Sequence, residues 1–207
     1  MAQLADHEKV FGFTGGRLCL DFANTLGGSR GSPKEYLTSY RDLVVWGRQA
    51  GVLSGPEAEH LTEAARRRPA DAAKALAEAV GLRETIFRIF AAVIAGREPE
   101  QADLSALGAG LSRAMVHLRV LPRAGGYAWG WADDREHLHR VIWPVVRSAA
   151  ELLVSGEASR VGRCAGEGCD WLFMDTSHTR SRRWCDMRSC GNRAKARRHH
   201  ARKKEQP

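Results

Sequence analysis

Four of the five cysteines carry the pattern with the most chemistry in it: Cys164-x4-Cys169, fifteen intervening residues, then Cys185-x4-Cys190, with Cys19 far upstream. Two cysteine pairs separated by a short loop are the arrangement of a four-thiolate zinc site, each pair supplying one edge of a tetrahedron. In a reducing cytoplasm one structural Zn2+ holds thiols that otherwise stay free, and its binding energy folds a segment too small to fold alone. Two disulfides are the alternative, but they belong to exported chains. The opening residues, Met1-Ala2-Gln3-Leu4-Ala5-Asp6, lack the basic stretch and apolar core of a secretory signal, so the expected location is the cytoplasm. The x4 spacing lies at the long end for zinc knuckles.

Charge points to the same segment. The chain of 207 residues has 32 Lys+Arg against 24 Asp+Glu, net +8. Residues 157–207 hold 13 basic and 6 acidic side chains, net +7, whereas residues 1–156 hold 19 and 18, net +1. Between Thr176 and Lys204 there are 11 basic residues and one acid, Asp186. Such a density self-repels and marks an arm that meets an anionic partner.

The cysteines need elements to hold them. Gly166 and Gly168 sit inside the first pair, where a knuckle requires unusual backbone angles, and Asp170-Trp171-Leu172-Phe173-Met174-Asp175 reads as a strand. After Trp184 the run Arg193-Ala194-Lys195-Ala196-Arg197-Arg198 favours helix, placing Cys190 near a first turn whose dipole suits a thiolate. That helix has only alanines as apolar residues. Lys195, Arg198 and Arg202 share one face, and Arg193 and Arg197 a neighbouring one. Phosphates suit a helix that is basic on most sides. Arg180, Arg182 and Arg183 join it as candidate nucleic-acid contacts, with DNA the expected partner and RNA an alternative, since Trp171, Phe173 and Trp184 could stack bases.

The residues Arg182-Arg183-Trp184-Cys185-Asp186-Met187-Arg188-Ser189-Cys190-Gly191-Asn192-Arg193-Ala194-Lys195, preceded by Phe173-Met174-Asp175-Thr176-Ser177, closely resemble the CGNR zinc-finger family. Leu18-Cys19-Leu20-Asp21-Phe22-Ala23-Asn24-Thr25 resembles that family's N-terminal partner, the ABATE domain. The resemblance covers nearly the whole chain. It implies a treble-clef-like finger with Cys164, Cys169, Cys185 and Cys190 on zinc, in a stress-linked bacterial transcription regulator.

Upstream, the pattern predicts a mostly helical α+β domain over 1–156 with a small antiparallel sheet, joined to the finger over 157–207. Leu18, Leu20 and Phe22 alternate as in a strand, with Cys19 a small buried residue. Ser32-Pro33 reads as the start of a helix to about Gly51, Ser54-Gly55-Pro56 opens another that ends before Pro69, and a long central helix runs from Ala70 to Gly96. A weaker helix covers 101–113. Residues 116–121 and 127–131 bracket Arg123-Ala124-Gly125-Gly126 as a hairpin, and Asp133 or Asp134 caps a last helix that Pro144 should kink. Arg83 interrupts the apolar stripe of the central helix and must be paired, with Asp21 the expected partner, or must meet a ligand's anionic group. Asp21, Asn24 and Arg83 are therefore the candidate residues for a small anionic ligand.

These readings exclude a membrane span, because no run of about 18 apolar residues occurs. They also disfavour an enzyme: no GxSxG, P-loop, Rossmann or HExxH motif is present, and four cysteines leave zinc no position for water. A protein-docking or homodimerising finger is the alternative function. Deleting everything after Gly156 is expected to abolish nucleic-acid binding and leave a folded domain.

Overall fold

The computed structural model describes residues 9–132 and 136–204. The fold is α+β: helices with, among the described residues, three separate two-stranded antiparallel sheets. Its centre is the long helix α4 (Pro69–Ile94), packed against α1 (Leu18–Ala23), α2 (Tyr40–Gln49), α3 (Gly55–Arg67) and α5 (Gln101–Met115). The deepest line on α4 runs through Ala72, Ala75, Ala79, Ile86 and Phe90. Small residues along half of that line let neighbouring helices come close.

The run expected to be the opening strand is helix α1. Cys19 to Ala23 are all buried, so the segment has no wet face for alternation to report, and a short apolar run fits either element. The helix expected from Ser32-Pro33 begins later. Residues Leu26–Ser29 (β1) and Ser32–Glu35 (β2) form a hairpin instead, with Pro33 opposite Gly28. A proline is tolerated there because the sheet has only two strands and both are edges. Gly28 has φ +74°, and a Cβ on it would lie 2.4 Å from the Ser32 carbonyl oxygen.

Helix α2 starts at Ser39, whose hydroxyl accepts from the Asp42 N–H while the Asp42 carboxylate accepts the N–H groups of Ser39 and Thr38. The same reciprocal cap, built from Ser54 and Glu57, opens α3 where the sequence placed it. The hairpin of β3 (Leu118–Arg123) and β4 (Gly126–Trp131) also lies where expected. Helix α6 (Trp143–Val154) follows a short 3-10 turn at Arg140–Ile142, and Pro144 sits in its first turn, where a missing N–H costs nothing; it does not kink the helix. The proposed caps Asp133 and Asp134 lie outside the described residues.

The hydrophobic core does not stop at Gly156. Strands β5 (Val161–Arg163) and β6 (Leu172–Met174) pair antiparallel, and Val161, Leu172 and Met174 are buried in the same core as α1 and α4. Alternation along β6 turns Phe173 the other way, into a second cluster with Cys164, Cys185 and Cys190. Asn24 fastens this junction. Its amide nitrogen donates to the Leu172 carbonyl at 2.9 Å, and its amide oxygen accepts the Leu172 N–H at 2.8 Å.

Candidate metal centre and nucleic-acid interface

Each cysteine pair is held by a different local device. Cys164 leaves β5 and closes a knuckle in which the Cys169 N–H donates to the Gly166 carbonyl. Gly168 has φ +68°, as the sequence suggested; Gly166 is needed for a different reason, because a Cβ there would lie 3.0 Å from Cys190 Sγ and 3.3 Å from Cys164 Sγ. The second pair is set by a π-helical turn, Met187–Gly191, whose N-cap Asp186 accepts the N–H groups of Arg188 and Ser189. These bonds hold the Asp186 carboxyl below its ordinary range. The Met187 thioether folds over Gly191, its Sδ 2.5 Å from where a Cβ would stand.

The four ligand sulfurs lie within 4.8 Å of one another. Cys169 Sγ is 3.8 Å from Cys185 Sγ, which is 3.7 Å from Cys190 Sγ. A regular tetrahedron with Zn–S bonds of about 2.3 Å has edges of about 3.8 Å. The donor set therefore fits one zinc ion in both softness and size, and the site is closed, with no place reserved for water.

Crowding shifts the thiols in opposite directions. Hydrogen bonds from Cys169 and Cys185, with the backbone N–H groups of Cys185 and Gly166, pull Cys164 down to about 2, while Cys169 is pushed up to about 12 and Cys185 is pushed up as well by its neighbours. A divalent cation ends that competition by taking all four as thiolates. Arg193 Nη2 lies 3.0 Å from Cys190 Sγ and offsets part of the resulting negative charge. Cys19 plays no part: fully buried beside α6, its thiol is raised to about 12 by burial.

The candidate phosphate contacts divide into two groups. Lys195, Arg198 and Arg202 stand exposed on α7 (Asn192–Lys204) and have no carboxylate partner among the described residues. Arg180 is also exposed, and Arg183 lies over the Trp184 ring. Arg197 leans to Glu167 at 3.2 Å, and Arg193 is committed to Cys190. Arg182 points inward, contrary to expectation. Its guanidinium donates to the carbonyls of Thr14, Met174, Trp184 and Cys185 and sits 4.4 Å from the centroid of Phe173. Three of these carbonyls lie within eight residues of Arg182, but that of Thr14 is 168 residues away, and spacing among other arginines does not reveal which of them turns inward.

The three candidate ligand residues do not share a site. Arg83, 2% exposed, forms a two-pronged pair with Glu35 at 2.7 Å and 2.7 Å, and its Nε donates to Glu84 at 3.0 Å; the expected pairing with Asp21 is replaced by these. Burial alone would raise the Glu35 carboxyl, but the Arg83 hydrogen bonds hold it below the ordinary range. Asp21 accepts the Gly15 N–H at 2.7 Å, and desolvation raises its carboxyl to about 6. Asp21 and Asn24 border a cavity of only about 120 Å³, in whose wall Arg83 takes no part.

Two family models match the chain. ABATE, described as "Putative stress-induced transcription regulator", matches residues 16–156, and the CGNR zinc finger matches residues 160–203. No curated protein matches it. Among the described residues, no helix is long and apolar enough to cross a membrane.

Proposed function

Because the chain belongs to the ABATE family and carries a CGNR zinc finger, we propose that it is a cytoplasmic transcription regulator that binds duplex DNA, with zinc structural and no catalytic role. The observation that carries this reading is α7: beyond its first turn, where Ala194 is partly covered, every described side chain is exposed, and most are cationic. A helix without an apolar stripe gains nothing from a core and is stabilised by an anionic surface. Arg180, Arg183, Lys195, Arg198 and Arg202 supply the phosphate contacts. The zinc site fixes the base of the helix, so that Lys195, Arg198 and Arg202 act on one rigid rod, with Arg180 and Arg183 on the segment before it.

Titrating zinc-loaded full-length protein into a random-sequence duplex tests this. Five phosphate contacts give a slope of log affinity against log salt of about −4.5, and Arg198→Ala should lower its magnitude by about 1. Absence of binding to any duplex at about 50 mM salt, or affinity independent of salt, would overturn the proposal. RNA binding in preference to duplex would move the function to the alternative partner. A chain that binds neither and changes oligomeric state on chelation would point to a docking module.

A further inference from the structure

A cavity of about 910 Å³ lies between α4, α5 and the start of α6, with none of the four clustered cysteines in its lining. Its size is that of a site for an organic molecule. One wall is aromatic: His117 lies flat on Trp143, with ring centroids 4.0 Å apart and planes 10° apart, and His137 meets His117 edge-on and Trp143 at a tilt, each at 4.9 Å. Trp143 is buried and His117 half-exposed, so the imidazole is the ledge's outer layer. The opposite walls are largely aliphatic, from Leu82, Ile142 and Val146.

Two glycines line the space, Gly81 being exposed. Gly81 lies inside α4, and a Cβ built on it would meet nothing within 4 Å; Gly110 lies inside α5, where a Cβ would be 3.3 Å from Val146. Glycine inside a helix costs about 1 kcal/mol relative to alanine, and at Gly81 no neighbour requires that cost. Clearance for a guest is a reason that packing does not supply. The charged groups at the wall are also unevenly matched. Glu78 lies 3.0 Å from His139 Nε2, whereas Arg113, exposed in the last turn of α5, has no carboxylate partner among the described residues.

We propose that this cavity binds an aromatic carboxylic acid, its ring against the His117–Trp143 ledge and its carboxylate on Arg113. A flat ring matches the stacked wall, an apolar body matches the aliphatic lining, and Arg113, without a carboxylate partner among the described residues, selects an anion. The site is distinct from Asp21, Asn24 and Arg83, and its occupancy does not depend on DNA binding.

Calorimetric titration of zinc-loaded full-length protein with 2-naphthoate, beside the uncharged isostere 2-naphthamide, reads the proposal directly. The acid should bind one-to-one with Kd below about 1 mM, and the amide about fivefold or more weakly. Arg113→Gln should bring the two to equal affinity. Gly81→Leu fills the space that no side chain occupies, so it should weaken naphthoate about tenfold or more while the melting temperature holds or rises, which separates blockage from unfolding. Equal binding of acid and amide by the parent, undiminished binding by Gly81→Leu, or no binding of naphthoate at about 1 mM would each overturn it.

Discussion

Strand β6 and helix α7 belong to the same zinc module, yet they answer to different surroundings. The side chains of Leu172 and Met174 close the core built by α1 and α4, and the Leu172 peptide is gripped by Asn24. Helix α7 beyond its first turn touches solvent on all sides. The cysteine cluster lies between the two, with Phe173 packed against it and Arg193 on Cys190 Sγ. One half of the finger is therefore part of the upstream domain's interior, and only the other half is free to meet a partner. A charge count that divides the chain at Gly156 locates the electrical boundary, but the packing boundary falls later.

The sharpest way to break this comparison is to cut at Gly156. Val161, Leu172 and Met174 each contribute about 1.5–3 kcal/mol through burial, together comparable with the whole stability of an ordinary domain. Residues 1–156 alone should show no cooperative thermal melt, whereas a chain cut after Asn192 should keep one. A monomeric, cooperatively melting 1–156 fragment would make the finger an appendage. This reverses the expectation drawn from charge alone. Chelating zinc from the intact chain is the next largest perturbation. It should lower the temperature of a single transition followed by circular dichroism; two transitions, with the upper one unmoved, would show that the halves are uncoupled.

Arginine substitutions divide the halves residue by residue. Arg182→Ala removes a cation bonded to four carbonyls and should destabilise by about 2–4 kcal/mol, measured by urea denaturation. Arg198→Ala should change stability by less than about 0.5 kcal/mol and act only on DNA affinity. Asn24→Ala leaves both polar groups of the Leu172 peptide without their partner and should cost about 1–3 kcal/mol.

A further expected effect concerns pH. The Asp21 carboxyl, raised by burial from 3.8 to about 6, keeps its proton in the folded chain over a range where the unfolded chain has lost it. Its contribution favours the folded state below pH 4 and declines as pH rises from about 4 to 6. Asp21→Asn removes that slope, so melting temperatures compared across this window should move in the variant's favour as pH increases.

The metal ligands were legible because zinc imposes its own spacing on the chain, and α3, α4 and the β3–β4 hairpin because caps and turn glycines are local signals. Helix α1 was misread for lack of a solvent-facing side. Ser32-Pro33 carried the signature of a helix start, but the reciprocal cap of Ser39 and Asp42 fixes that start later, and the glycine turn folds Ser32–Glu35 back on β1. The Arg83–Glu35 pair and the bond from Arg182 to the Thr14 carbonyl join distant segments, which neither periodicity nor spacing encodes.

The bond pair between Asn24 and Leu172 spans 148 residues. During synthesis at about 5–20 residues per second, the upstream helices leave the ribosome several seconds or more before the strand that completes their core. For that interval α1 and α4 have an open seam, and the chain's exposure to aggregation and proteolysis is set by how fast its last quarter is translated. Closure of the seam by Leu172 and Met174 then also sets Phe173 beside Cys164, Cys185 and Cys190, so completion of the upstream core and formation of the metal centre share one strand.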